Sequence, residues 1–265
     1  MENKYALITG TATGIGHELA KLFAQDGYHL ICVDYPGDKL EQTTQQFASD
    51  YSVTAIAIGK DLAVDGAGEE VYNEVKEKGI IVDVLVNNAG QGTYGKFWEI
   101  DLKDQIRIIH SNAIALTTLT ILYTREMVAR NEGKILQLAS VVSELPAPLQ
   151  AVYSGTKAYI LQFTEAIINE LKDTNITVTA LQPGATDTDF FNKAGNQDMK
   201  MLTDKSNVSD PADVAKDGYN ALMEGKDKVV SGWKNKIQVA LSNLMPDSLV
   251  ASNLRKQSEP VGEEK

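Results

Sequence analysis

The sequence predicts an α/β fold: a doubly wound parallel sheet of about seven strands, with helices on both faces, in a single domain. Three observations carry this expectation. Short β-branched apolar runs alternate with longer amphipathic stretches along the chain. The runs are apolar on both faces, as strands buried under helices on each side must be. No linker-like shift in composition interrupts the series, so right-handed crossovers can wind all of it around one sheet.

Taken in order, the strands are expected at 5–9 (YALIT), 29–33 (HLICV), 53–58 (VTAIAI), 82–87 (VDVLVN), 134–139 (KILQLA), 176–181 (ITVTAL) and 227–231 (DKVVS). Amphipathic helices fall between them at about 15–26, 38–49, 65–78, 103–130, 151–173 and 211–224. Two stretches break the alternation. Residues 185–210 are rich in Gly, Asn, Asp, Lys and Thr, with Phe190 and Phe191 as apolar anchors. A long insertion at the carboxyl end of a strand is expected to form a substrate lid, with a disordered loop as the alternative. Residues 233–257 follow the last strand, with Ile237, Val239, Leu241, Leu244 and Met245 before Pro246, then Leu249, Val250 and Leu254. They predict a helical extension that packs on the domain or on a second subunit, since a membrane-surface helix needs a strongly basic polar face. The catalytic domain is thus placed at 1–232, its extension at 233–257, and a disordered tail at 258–265.

Composition narrows the partners. Thirty-six acidic residues against 25 basic give a net charge of −11, which repels phosphate backbones and argues against nucleic acid or an anionic membrane surface. No apolar run approaches the roughly 18 residues of a membrane span, and Met1-Glu2-Asn3-Lys4 carries no basic n-region. A cytoplasmic protein is expected. The single cysteine, Cys32, sits inside a strand and has no disulfide partner. His17, His29 and His110 lack neighbours at metal-site spacing, so no metal is expected.

The first strand runs into Thr9-Gly10-Thr11-Ala12-Thr13-Gly14-Ile15-Gly16, and a helical pattern begins at once. Glycines there let backbone approach a pyrophosphate, and the free N–H groups of a helix start favour its charge. This is the signature of a Rossmann dinucleotide site. No Gly-Lys-Ser/Thr follows to make it a P-loop. Asp34 ends the second strand, twenty residues after Gly14. A carboxylate there accepts hydrogen bonds from ribose hydroxyls and repels a 2′-phosphate. Neither Thr13 nor Tyr35-Pro36 supplies the cation a 2′-phosphate would want, so NAD is expected over NADP. Further on, Tyr153 stands four residues before Lys157. That spacing stacks the two on one helical face, where an ammonium would lower the phenol's pKa from about 10 and fit it for proton transfer.

Gly10-X-X-X-Gly14-X-Gly16, Asn87-Asn88-Ala89-Gly90, Asn112, Ser140, Tyr153-X-X-X-Lys157 and Pro183-Gly184-Ala185-Thr186-Asp187-Thr188, in this order over about residues 4–232, resemble the short-chain dehydrogenase/reductase (SDR) family. The wording around Pro183 and the tail after the last strand is similar to its DltE-like branch. The resemblance implies an oxidoreductase that moves a hydride between a nicotinamide and a secondary alcohol or ketone. It implies that Tyr153 is the general acid/base, that Lys157 lowers its pKa and holds the nicotinamide ribose, that Ser140 binds the substrate oxygen, and that Asn112 holds a water linked to Lys157. Dinucleotide contacts carried over in the same way are Gly10, Thr13, Gly14, Ile15, Gly16, Asp34, Asp61 with Leu62 near the adenine, Asn88, Ala89, Gly90, Pro183, Gly184, Thr186 and Thr188. Relatives of the DltE-like branch often use NADP through a basic residue where this chain has Asp34. Members commonly form dimers or tetramers through the helices here at 103–130 and 151–173.

For the substrate, Val142, Leu145, Pro146, Ala147, Pro148 and Leu149 between Ser140 and Tyr153 are mostly apolar, and Phe190, Phe191 and Tyr94 can close over them. Tyr94, Val142, Leu149 and Phe190 are the expected substrate contacts, and a hydrophobic alcohol or ketone the expected substrate. Two other readings stay open. One is an NADP-dependent carbonyl reductase, and the other a non-catalytic dinucleotide sensor on the same fold.

Overall fold

The computed structural model describes residues 4–195, 199–203, 207–242 and 244–259. Seven strands form one parallel sheet: β1 (Tyr5–Thr9), β2 (His29–Asp34), β3 (Ala55–Gly59), β4 (Val84–Asn87), β5 (Gly133–Leu138), β6 (Ile176–Gln182) and β7 (Lys228–Val230). Their spatial order is β3-β2-β1-β4-β5-β6-β7. The helices are α1 (Gly14–Gln25), α2 (Asp38–Tyr51), α3 (Ala67–Glu77), α4 (Leu102–Ile109), α5 (Leu116–Arg130), α6 (Ala151–Glu170), α7 (Phe190–Ala194), α8 (Lys200–Thr203), α9 (Pro211–Met223), α10 (Trp233–Ser242) and α11 (Asp247–Ser258).

The two-residue period of a strand sends neighbouring side chains to opposite faces, and both faces are buried. Ala6, Ile8, Leu30, Cys32 and Val86 pack under Leu19 and Phe23 of α1, Leu40 and Phe47 of α2, and Val214 and Leu222 of α9. On the other face Leu7, Ile31, Val33, Leu85, Ile135 and Val178 meet Val71 and Val75 of α3 and Leu119, Tyr123 and Met127 of α5. Each buried Val, Leu, Ile or Phe among them contributes about 1.5–3 kcal/mol by leaving water. Burial also pushes the Cys32 thiol up to about 11, so it stays protonated and packs as a small apolar group.

Three expectations change. The predicted helix 103–130 is a rod in which α4 and α5 are joined by a π-helical turn, His110–Ala115. By length and composition alone the rod Leu102–Arg130 qualifies as a membrane span, contrary to the sequence reading. Its buried side (Ile108, Ala115, Leu116, Leu119, Tyr123, Met127) packs in the protein. Ser258, expected to open a disordered tail, is instead helical. It closes α11 and is buried, because its carbonyl accepts a hydrogen bond from Tyr94 Oη. Glu259 is paired as well, and residues 260–265 lie outside the described residues. In the extension, α10 and α11 are separate helices, with Pro246 at the N-cap of the second, a position that suits a residue without an N–H.

Candidate active site

The chain leaves β1 on one side for β2 and β3, then returns to its other side at β4, which opens a crevice beyond the carboxyl ends of the strands. A cavity of about 1130 Å³ occupies it. Strand ends deliver its lining: Gly10 after β1, Asp34 at the end of β2, Asn88 after β4, Ser140 after β5 and Pro183 after β6.

At one end the wall is largely backbone. Thr9 Oγ1 accepts the N–H groups of Asn88 (3.0 Å) and Ala89 (2.9 Å), while Asn88 Nδ2 donates to the carbonyls of Thr9 (2.8 Å) and Gly10 (3.2 Å). These bonds tie the ends of β1 and β4 together. Gly10 and Gly14 adopt positive φ, +75° and +61°, which glycine reaches without strain. Gly16 serves packing: a Cβ there would fall 2.1 Å from the Gly10 carbonyl oxygen. Thr13 is the N-cap of α1 and makes no side-chain cap, so first-turn N–H groups are left without that partner. Asp34 Oδ2 accepts the Ala12 N–H at 2.8 Å and Oδ1 the Tyr35 N–H at 2.7 Å. An uncapped helix start for an anion beside a fixed carboxylate for hydroxyls fits a dinucleotide.

Beyond Asp34 the side chains of Tyr35, Gln91, Arg107 and Asp61 form a network. The Tyr35 hydroxyl accepts from Gln91 Nε2 and from Arg107 Nη2 (3.0 Å), and Arg107 pairs with Asp61 at 2.9 Å. Burial raises the Asp61 carboxyl, but hydrogen bonds from Arg107 and the Ala63 N–H outweigh it and hold the group below its ordinary range. Asp61 is thereby committed to Arg107 and is not among the cavity residues. Leu62, Lys60 and Tyr35 line the wall there instead.

At the other end lie Ser140, Tyr153 and Lys157. Ser140 caps the short 3₁₀ turn Val141–Ser143: its Oγ accepts the Val142 N–H at 3.3 Å and donates to the Pro183 carbonyl at 3.4 Å. Lys157 is 3% exposed and donates to the Leu138 carbonyl at 2.6 Å. Its Nζ stands 5.8 Å from the centre of the Tyr153 ring. The sequence reading expects the lysine to lower the phenol, but burial prevails over both groups. It pushes Tyr153 up to about 12, against the opposing hydrogen bond of Ser140, and Lys157 down to about 7. An amine that readily gives up its own proton stabilises a phenolate weakly. Ligand hydroxyls that accept from Lys157 would favour its charged form and shift the pair back. Asn112, fully buried in the π turn, braces this end. Its Oδ1 accepts the Gln91 N–H (2.9 Å), and its Nδ2 donates to the Gln91 carbonyl (2.9 Å) and to Thr156 (3.1 Å).

Of the residues singled out in the sequence, Gly10, Thr13, Gly14, Ile15, Asp34, Leu62, Asn88, Ala89, Gly90, Ser140, Tyr153, Lys157, Pro183, Gly184, Thr186, Thr188, Val142 and Phe190 line the one cavity. Gly16, Asp61 and Asn112 stand behind it. Tyr94 and Leu149, expected against the substrate, are not in the lining: the Tyr94 hydroxyl is directed to Ser258, and the Leu149 carbonyl accepts the Gly95 N–H. Phe190 does close over the site, its ring 5.2 Å from that of Tyr153. Sequence reasoning missed Trp233, Gln238, Leu254 and Ser258, which complete the far wall. They belong to no motif, and the four-residue spacing of Val250, Leu254 and Ser258 was the only available signal.

A family model described as short chain dehydrogenase matches residues 4–199. The chain is 36% identical over 184 residues to a very-long-chain 3-oxoacyl-CoA reductase of Pyrenophora tritici-repentis, covering 67% of this chain and 53% of that one. It spans about half the length of that relative. It is 31% identical over 194 residues to a 3-oxoacyl-(acyl-carrier-protein) reductase of Aquifex aeolicus, covering 72% and 77% of the two chains. Among solved structures, a short-chain dehydrogenase from Sphingobium yanoikuyae in complex with NADPH superposes with a TM-score of 0.80, at 25% identity, over 91% of this chain and 95% of that one.

Proposed function

The chain belongs to the short chain dehydrogenase family, and on that premise we propose that it is an NAD(H)-dependent oxidoreductase interconverting a hydrophobic secondary alcohol and its ketone. The observation that carries the reading is the meeting of Ser140, Tyr153 and Lys157 in one cavity with an uncapped helix start and Asp34. A bound nicotinamide dinucleotide supplies or accepts the hydride. Thr13, Gly14 and Ile15 would hold its phosphates, Asp34 its adenosine ribose, and Lys157 the ribose near the reacting ring.

The chain's own part is protonic and electrostatic. Tyr153 donates its Oη proton to the ketone oxygen during reduction, and as the phenolate it takes the alcohol proton during oxidation. Ser140 Oγ is turned from the Pro183 carbonyl to the substrate oxygen, where it stabilises developing charge. Phe190 and the apolar lining of Val142 and Ala147 exclude water from the reacting atoms. The apolar lining favours hydrophobic ketones, and the names of the 3-oxoacyl reductase relatives put 3-oxoacyl thioesters in the same class. A second copy of the chain is the proposed partner. Ile106, Ile114, Ile121, Val128 and Tyr159 leave an exposed apolar face on α4, the π turn, α5 and α6.

Asp34 supports NAD over NADP by repelling a 2′-phosphate. Titration with NADH and NADPH, followed by nicotinamide fluorescence, tests this. Tighter NADH binding is expected. Tighter NADPH binding would overturn the assignment of Asp34 and point to Lys60, the nearest lining lysine along the chain. Binding of neither would sink the oxidoreductase reading.

A further inference from the structure

We propose that α11 sets the size of substrate the cavity accepts, with Leu254 and Ser258 as the specificity-determining wall and a tether from Tyr94 and Lys200 holding that wall in place. The inference rests on the oxidoreductase reading above and deepens it.

Val250, Leu254 and Ser258 recur every four residues and so share one face of α11. Val250 and Ser258 are buried, 5% and 6% exposed, and Leu254 and Ser258 line the cavity. The last carbonyls of a helix have no partner within it. Here that of Ser258 accepts from the Tyr94 hydroxyl, at 2.5 Å, across 164 residues of chain. One residue on, the Glu259 carbonyl accepts the Lys200 N–H at 3.1 Å, and its carboxylate pairs with Lys200 at 3.9 Å and Arg255 at 3.8 Å. Three segments far apart in sequence thus meet at the end of α11. Met199, 2% exposed, lines the cavity beside them.

A helix of this length is marginal in isolation, and most of its outward residues are exposed. Its position therefore depends on its inward face and on this tether. The family model ends at residue 199, so Leu254 and Ser258 lie outside the matched residues while sharing the cavity with Ser140, Tyr153 and Lys157. A side chain at 254 fixes how far a ketone substituent can reach.

The test is a graded series of ketones of increasing bulk, offered to the full chain and to Leu254→Ala, Leu254→Trp and Tyr94→Phe. Turnover is one readout. The second, for the full chain, Leu254→Ala and Tyr94→Phe, is fluorescence of Trp233, which lines the cavity, in a Trp98→Phe background that leaves it the sole tryptophan. Leu254→Ala and Tyr94→Phe are expected to raise preference for the bulkiest ketone over the smallest by about tenfold, and Leu254→Trp to lower it as much, with dinucleotide binding unchanged. Turnover with an unmoved size profile in all three variants would overturn the inference and leave the reading standing. A size profile that shifts in binding without any turnover would uphold the wall and sink the reading. A cavity that neither binds nor converts any ketone overturns both.

Discussion

The two ends of the cavity are made of different material. The dinucleotide end is built from main chain: strand ends cross-tied by Thr9 and Asn88, glycines at positive φ, and a helix start without a side-chain cap. The far end is built from side chains on short helices, α7, α8, α10 and α11. The first lies wholly within the family-matched residues 4–199, whereas α8, α10 and α11 follow them. Backbone recognition reads a constant ligand and tolerates little change. A side-chain wall can be retuned one residue at a time, so a chain can keep its chemistry and alter its substrate.

Four variants test that contrast, the first three running from the largest expected effect to the smallest. Tyr153→Phe removes the proton donor, and turnover should fall by about 10²–10⁴-fold while NADH affinity holds. An active phenylalanine variant would sink the acid/base assignment. Gly16→Ala forces a Cβ to within 2.1 Å of the Gly10 carbonyl oxygen. Thermal melts should show a loss of about 1–3 kcal/mol and titration a weaker dinucleotide complex. An unshifted melt would refute the claim that this end is limited by backbone packing. Asp34→Ala combined with Tyr35→Arg should move the NADH/NADPH preference about tenfold towards NADPH, or about 1.4 kcal/mol. An unchanged ratio would remove Asp34 from the ribose.

The fourth test is stability against pH. The folded pKa of Lys157, about 7, lies below its ordinary value of 10.5. Between those values the unfolded chain binds a proton that the folded chain does not, so stability rises with pH through that window. Below about 7 the full penalty of the buried charge applies. Urea midpoints at pH 7, 8 and 9 without dinucleotide should show wild type gaining on Lys157→Met as pH rises. Parallel curves would mean that the amine is not desolvated.

The same contrast explains what the sequence disclosed. Sheet, crossovers and the Gly10–Gly16 turn were legible because a two-faced apolar strand and a glycine-rich turn are local patterns. Tyr153 and Lys157 were legible as a helical pair, and their meeting with Ser140 followed from β5 and α6. The depression of Lys157 was not, since it comes from burial beneath Leu138 and from no neighbour in sequence. Asp61 looked like a ligand until Arg107, forty-six residues away, claimed its carboxylate. Tyr94 looked like a substrate contact, and its partner Ser258 lies at the other end of the chain. Long-range pairings of single side chains leave no periodic trace.

The π turn at His110–Ala115 bears on heredity. Such a turn is a helix holding one residue more than its hydrogen-bond ladder needs, so it behaves in descent as an inserted letter. Losing the extra residue between His110 and Ala115 would relax the turn to ordinary α-helix and keep Leu116, Leu119, Tyr123 and Met127 facing the core. The loss would fall on Asn112, whose seat in the turn gives it Gln91 and Thr156. The core thus leaves the turn free to come and go in descent, and the bracing by Asn112 is what holds it.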